Sequence, residues 1–193
     1  LKYLAFDTES GGVNDDNSLL SAYFVVIDED LKTIYGELDL LVKPDDGNYS
    51  VTAQGLEVNK INLIEHDKVA ITESKAGQLL YNFLKTHAPD GTTKLTPLGH
   101  NIAFDVQFVK KHLVNKAFNQ YVSYRMLDTG SIIQFMKLTG LVSRDLAGSL
   151  SEIAIHFGIS TITNVPHTAK GDTWMVIEVL RKLKQLVMLE TAL

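Results

Sequence analysis

Three strand-length segments occupy the first 44 positions, before any helical periodicity begins. They are "LKYLAFDTE", "LLSAYFVVIDED" and "TIYGELDLLVKP", the last with Leu38, Leu40 and Val42 alternating. The acidic group Asp28–Asp30 reads as the turn between the second and third. Strands this close in sequence pair most simply as an antiparallel meander. The pattern then changes. "TESKAGQLLYNFLKTHA" places Ala76, Leu79, Leu80, Phe83 and Leu84 at helical spacing. "KLTPLGHN" is a short strand, "AFDVQFVKKHLV" a helix and "YVSYRMLDT" a strand. "SIIQFMKLTG" and "SLSEIAIHFGI" are helices that each end near a glycine. A final helix runs from about Ala169 to about Glu190. Three meandering strands followed by a βαβα half predict an α/β fold, with a mixed five-stranded sheet flanked by helices. A chain of 193 residues suits one domain, spanning 1–193.

The first strand ends oddly. After Tyr3, Leu4, Ala5 and Phe6 come Asp7 and Glu9, then Gly11 and Gly12. Residues at i and i+2 of a strand share a face, so the two carboxylates project together. Such a pair repels itself unless a cation offsets the charge. A solvated strand end is the plainer reading of a lone Asp-x-Glu, although this chain contains the pattern only once. Two further acids sit on elements that should pack inward. Counting back four from Val176 in the stripe Val176, Val179, Leu180 and Leu183 gives Asp172, in the first turn of the last helix. An acid there complements the helix dipole, but a solvent-facing position would do that equally well. Asp105 lies at the edge of the stripe Ile102, Val106, Val109 and Leu113, just after a strand end, where sites gather in open α/β sheets. Asp128 also ends a strand and is better read as a cap for the helix near Ser131.

The spacing H-x-x-x-x-D occurs twice, as His100–Asp105 and His167–Asp172. Five residues turn a helix through about 500°, so neither pair shares a helix face. Each histidine must reach in from the preceding loop. His167 follows Pro166, which restricts its backbone. His100 follows a strand directly and reads as a turn-holding residue with some contact to substrate. His66, His87, His112 and His156 have no acid at a useful spacing and read as surface or packing residues.

The net charge of −5 argues against a protein that coats duplex nucleic acid by charge. It leaves room for an enzyme holding a single strand at one acidic, metal-loaded site. The chain has no cysteine, hence no disulfide and no thiolate metal site, as expected of a cytoplasmic protein. No long apolar run or leader pattern is present, so no membrane association is expected.

"FDTES", "GHNIAFD" and "HTAKGD", in that order, resemble the three motifs of the DEDDh (DnaQ-like) 3′–5′ exonucleases. That superfamily includes proofreading subunits, ribonuclease T and oligoribonuclease. The resemblance spans nearly the whole chain and implies the ribonuclease-H-like arrangement of the sheet. It implies that Asp7, Glu9, Asp105 and Asp172 hold two divalent cations, Mg2+ or Mn2+, and that His167 is the general base. It further implies a two-metal reaction releasing nucleoside 5′-monophosphates from single-stranded DNA or RNA 3′ ends. Thr8 and Phe104 match residues lying against the terminal nucleotide. "GLEVNKIN" resembles the segment wedged against the terminal base, which places Val58 and Asn59 there. His100 joins them as a substrate contact. Where the family often has glycine this chain has Lys60; a positive φ there would cost lysine about 1 kcal/mol. A polymerase or replication partner is a further expectation. "QLVMLE" near the end is similar to a sliding-clamp peptide, but within an apolar helix it reads as core. The competing readings are another two-metal phosphoesterase of the same fold, such as an endonuclease, and a catalytically silent nucleic-acid-binding or polymerase-associated module of that fold.

Overall fold

The computed structural model describes residues 1–90, 92–161 and 164–190. Three long strands come first: β1 (Lys2–Ser10), β2 (Leu19–Asp28) and β3 (Ile34–Lys43). They pair antiparallel, with Asp7 opposite Tyr23 and Tyr23 opposite Asp39. Two short helices follow, α1 (Ala53–Asn59) and α2 (Leu63–Val69), then β4 (Ile71–Thr72) and α3 (Glu73–His87). The second half holds β5 (Thr96–Gly99), α4 (Ala103–His112), α5 (Asn115–Tyr121), β6 (Leu127–Asp128), α6 (Thr129–Thr139), α7 (Leu150–His156) and α8 (Ala169–Glu190). The strand order is β4-β3-β2-β1-β5-β6, with β4, β5 and β6 each parallel to its neighbour.

The mixed sheet flanked by helices is as expected. It has six strands rather than five, because the two-residue β4 joins the edge beside Val42 and Lys43. The strand expected over "YVSYRMLDT" shrinks to Leu127–Asp128. Tyr121 instead closes α5, and Val122 makes one bridge to Leu95.

Strand alternation in β1 divides the molecule into two cores. Leu4 and Phe6 point into the layer of α3, α4 and α5, where Phe6 stacks on Phe24 and meets the edge of Phe118. Tyr3 and Ala5 point the other way, toward Ile133, Ile153 and the α8 stripe Val176, Val179, Leu180 and Leu183. β2 is buried along nearly its whole length, as a strand covered on both faces must be. Asp7 and Glu9 continue the α8-facing register of Tyr3 and Ala5, so the face that carries them is settled by the apolar residues before them.

Candidate active site

At the far end of β1 the sheet thins. β5 pairs with β1 only from Tyr3 to Ala5, leaving the rest of that edge without a parallel neighbour. Asp105, in the first turn of α4, fills the gap. Its Oδ1 accepts hydrogen bonds from the Thr8 amide at 2.9 Å and the Thr8 hydroxyl at 2.7 Å. The carboxylate is only 4 % exposed, and burial pushes its pKa up to about 7 against the opposing pull of those two donors.

On the other face, α8 brings Asp172 to Asp7 and Glu9. One oxygen from each of these three carboxylates lies within 4.8 Å of the other two. Burial, followed by the charges of Asp172 and Asp105, raises Glu9 to about 8. Burial raises Asp172 to about 6, opposed by the His167 amide and the His167 ring. Asp7 is also raised well above the carboxylate range, by burial and then by Asp105, Asp172 and Glu9. These acids cannot all ionise together without compensation. Their donor set is all oxygen, which suits a hard divalent cation, and the trio is close enough to share one. Asp105 stands outside the trio.

The loop before α8 is built tightly. Thr168 caps the helix, accepting from the Gly171 amide at 3.1 Å while donating to the Val165 carbonyl at 2.8 Å. A Cβ at position 171 would lie 1.9 Å from that carbonyl, so only glycine fits. His167 is in the left-handed region with φ 59°, and its amide donates to Asp172 Oδ2 at 3.1 Å. The side chain of His167 is exposed.

His100 is held differently. Its Nδ1 meets Thr129 Oγ1 at 3.0 Å and its Nε2 meets the Gly148 carbonyl at 3.0 Å, so both ring nitrogens have protein partners. Burial lowers its pKa. Asp128 caps α6, accepting from the Gly130 amide at 3.1 Å, and also accepts from the Asn101 amide at 2.7 Å.

A cavity of about 300 Å³ adjoins the carboxylates, bounded by Thr8, Glu9, Phe104 of α4 and the α1 residues Val58 and Asn59. Val13, Val58 and Phe104 are the exposed apolar parts of its wall. Asn14, Asn17 and Gln54 line it too, and sequence reading did not single them out. Asn17 is legible afterwards as a turn residue, since its Oδ1 accepts from the Asn14 amide at 3.1 Å. A second cavity, of about 420 Å³, lies at the start of β1 among Tyr3, Leu31, Phe135 and Leu180, and is mostly apolar. Of the two, the first lies beside the carboxylate cluster, since Glu9 lines it.

No protein-family model and no curated protein matches this chain. Solved structures do match by fold. Escherichia coli exonuclease I in complex with a dT13 oligonucleotide superposes with a TM-score of 0.73 at 15% identity, over 98% of this chain and 43% of that one. Exonuclease I from Methylocaldum szegediense matches with a TM-score of 0.73 at 14% identity, over 95% of this chain and 40% of that one. The chain thus has the exonuclease fold and spans about two-fifths of the length of these enzymes. Among the described residues, no helix is long and apolar enough to cross a membrane.

Proposed function

We propose that this chain is a metal-dependent 3′–5′ exonuclease that removes nucleoside 5′-monophosphates from single-stranded nucleic acid ends. The observation that carries the reading is the meeting of Asp7, Glu9 and Asp172, from two distant segments, at a partly buried point where their charges are mutually unfavourable. Proteins tolerate such a cluster where a cation offsets it. Asp7, Glu9 and Asp172 would hold one Mg2+ or Mn2+, and Asp7 with Asp105 a second. Divalent cations held there would supply positive charge that lowers the pKa of a nearby water and offsets charge on the departing 3′ oxygen.

The protein's own groups do the rest. Thr8 fixes the rotamer of Asp105 through two hydrogen bonds and leaves its other oxygen for ligation. The Asp172 carboxylate anchors the His167 backbone, and the exposed ring takes the proton from the attacking water. Phe104 and Val58 offer apolar surfaces to the terminal base, and the cavity between them and Glu9 seats its nucleoside. The oligonucleotide complexes of exonuclease I accord with a single-stranded substrate, and single-stranded DNA is the first to test.

Digestion of a 5′-labelled single strand tests the proposal. With Mg2+, products should shorten stepwise from the 3′ end, a 3′ phosphate should block them, and EDTA should abolish them. Asp7→Asn should lower the rate by about 10³-fold or more while leaving the fold intact, because the metal-free site loses self-repulsion. Early mid-length fragments from a circular strand would establish an endonuclease instead. Binding without any mononucleotide release would establish the silent module.

A further inference from the structure

The wall of the cavity formed by α1 is fastened at both ends to the segment that follows Glu9. At its start, the Thr52 amide and hydroxyl both donate to the Gly11 carbonyl, at 2.6 and 3.1 Å. Gly55 comes so close that a Cβ there would lie 2.4 Å from the same carbonyl. At its end, Asn59 Nδ2 donates to the Ser10 carbonyl at 2.9 Å, and Asn59 Oδ1 accepts from the Ile61 amide at 3.0 Å. The register of β1 against β2 shifts between Glu9 and Ser10, and the carbonyl that Asn59 takes lies just past this irregularity. Asn59 is 7 % exposed, whereas its neighbour Val58 is 48 % exposed toward the cavity.

The two residues of "VN" therefore do different work. Val58 presents a surface; the amide of Asn59 has its donor and acceptor ends engaged by the backbone. We infer that Asn59 is a positioning residue, which ties the Val58 wall to the Glu9 end of β1 so that the nucleoside seat and the carboxylate cluster keep a constant separation. This rests on the proposed exonuclease reading and adds to it that recognition of the strand end depends on a side chain whose amide is engaged by the backbone rather than spent on the nucleotide. Proximity effects of this kind fall steeply with displacement of the order of 1 Å.

The experiment compares two substrates in wild type and Asn59→Ala: a single-stranded oligonucleotide, and bis(p-nitrophenyl) phosphate, which offers a phosphodiester but no base to seat. Expected is a loss of about tenfold in kcat/KM on the oligonucleotide, carried mainly by kcat because the seated end is displaced from the carboxylates, with hydrolysis of the small diester and its metal dependence within about twofold of wild type. Asn59→Asp keeps the acceptor for Ile61, loses the donor to Ser10 and sets a carboxylate oxygen against that carbonyl, so it should show at least the same split; it also serves if Asn59→Ala does not fold. Equal losses on both substrates, or an unchanged oligonucleotide kcat/KM, would overturn the inference while leaving the exonuclease reading standing. Wild-type protein that releases no mononucleotide would sink the reading and the inference with it.

Discussion

His100 and His167 each precede an acid by five residues, and spacing alone cannot separate them. Their surroundings differ in kind. His100 is clamped between Thr129 and Gly148, whereas His167 has an exposed ring on a backbone pinned to Asp172. His167→Ala should lower the chemical step by about 10²–10⁴, the usual range for a general base, and abolish the acid limb of the pH–rate profile. His100→Ala should keep that limb and instead cost about 1 kcal/mol of stability, the net scale of a hydrogen bond, because Thr129 still donates to the Gly99 carbonyl and Gly148 is exposed to water. A pH–rate profile and a thermal melt on each variant decide the matter; loss of the acid limb in His100→Ala alone would reverse the assignment. His112 shows what spacing conceals. It has no acid nearby in sequence, yet its Nδ1 meets Glu73 Oε1 at 2.7 Å, a partner 39 residues away. Asp128 was legible as a helix cap because capping is a local interaction.

Long elements were readable, since β1, β2, β3, α3 and α8 each carry enough residues for a period to show. α1 and α2 have seven residues apiece, under two full turns, and were not recognised as helices. Their signals were caps rather than periods: Thr52 accepts from the Gly55 amide, and Asn62 accepts from the Ile64 and Glu65 amides. Packing also overrode the apolar reading of the end of α8, where Leu186 and Val187 are exposed; the side chains of residues 188–190 lie outside the described residues. Lys60 does have the positive φ that glycine would favour. It caps α1 with φ 56° and ψ 22°, its amide donating to the Leu56 carbonyl. Lysine in the left-handed region costs about 1 kcal/mol, and a β-branched residue costs more. Lys60→Gly should therefore leave the melting temperature unchanged or higher. Lys60→Val should lower it by about 2–4 °C for each kcal/mol lost. A higher melting temperature in Lys60→Val than in Lys60→Gly would show that this turn is not held in the left-handed region.

The carboxylate cluster should give the whole molecule a stability that falls as pH rises toward and past neutrality. Asp172, Asp105 and Glu9 have pKa values near 6, 7 and 8, all above those of an unfolded chain. The folded state then holds protons that the unfolded state has released, and stability falls as pH rises through this range. In EDTA, the melting temperature should drop between pH 5 and 8.5, by an amount on the order of 10 °C if several kcal/mol are involved. Carboxylates whose pKa is lowered, such as Asp28 at about 2, are ionised throughout this window and do not contribute to the slope. Saturating Mg2+ or Mn2+ should raise the melting temperature and flatten the slope, because ligation favours the ionised acids. Calorimetry across pH, with and without metal, measures both effects; a metal-free melting temperature that does not fall with pH would show that these acids are not in conflict. The chain's own periodicities determined the strands, the long helices and the shared face of Asp7 and Glu9, because alternation and helical spacing are properties of neighbouring residues. The motif resemblance had already placed Asp172 with those two; only the tertiary structure decided that Asp105 lies behind Thr8, that Asn59 grips the Ser10 carbonyl, and that His112 finds Glu73. Those contacts join residues far apart in the chain, and they depend on how two layers of helices settle on one twisted sheet, which no local pattern encodes.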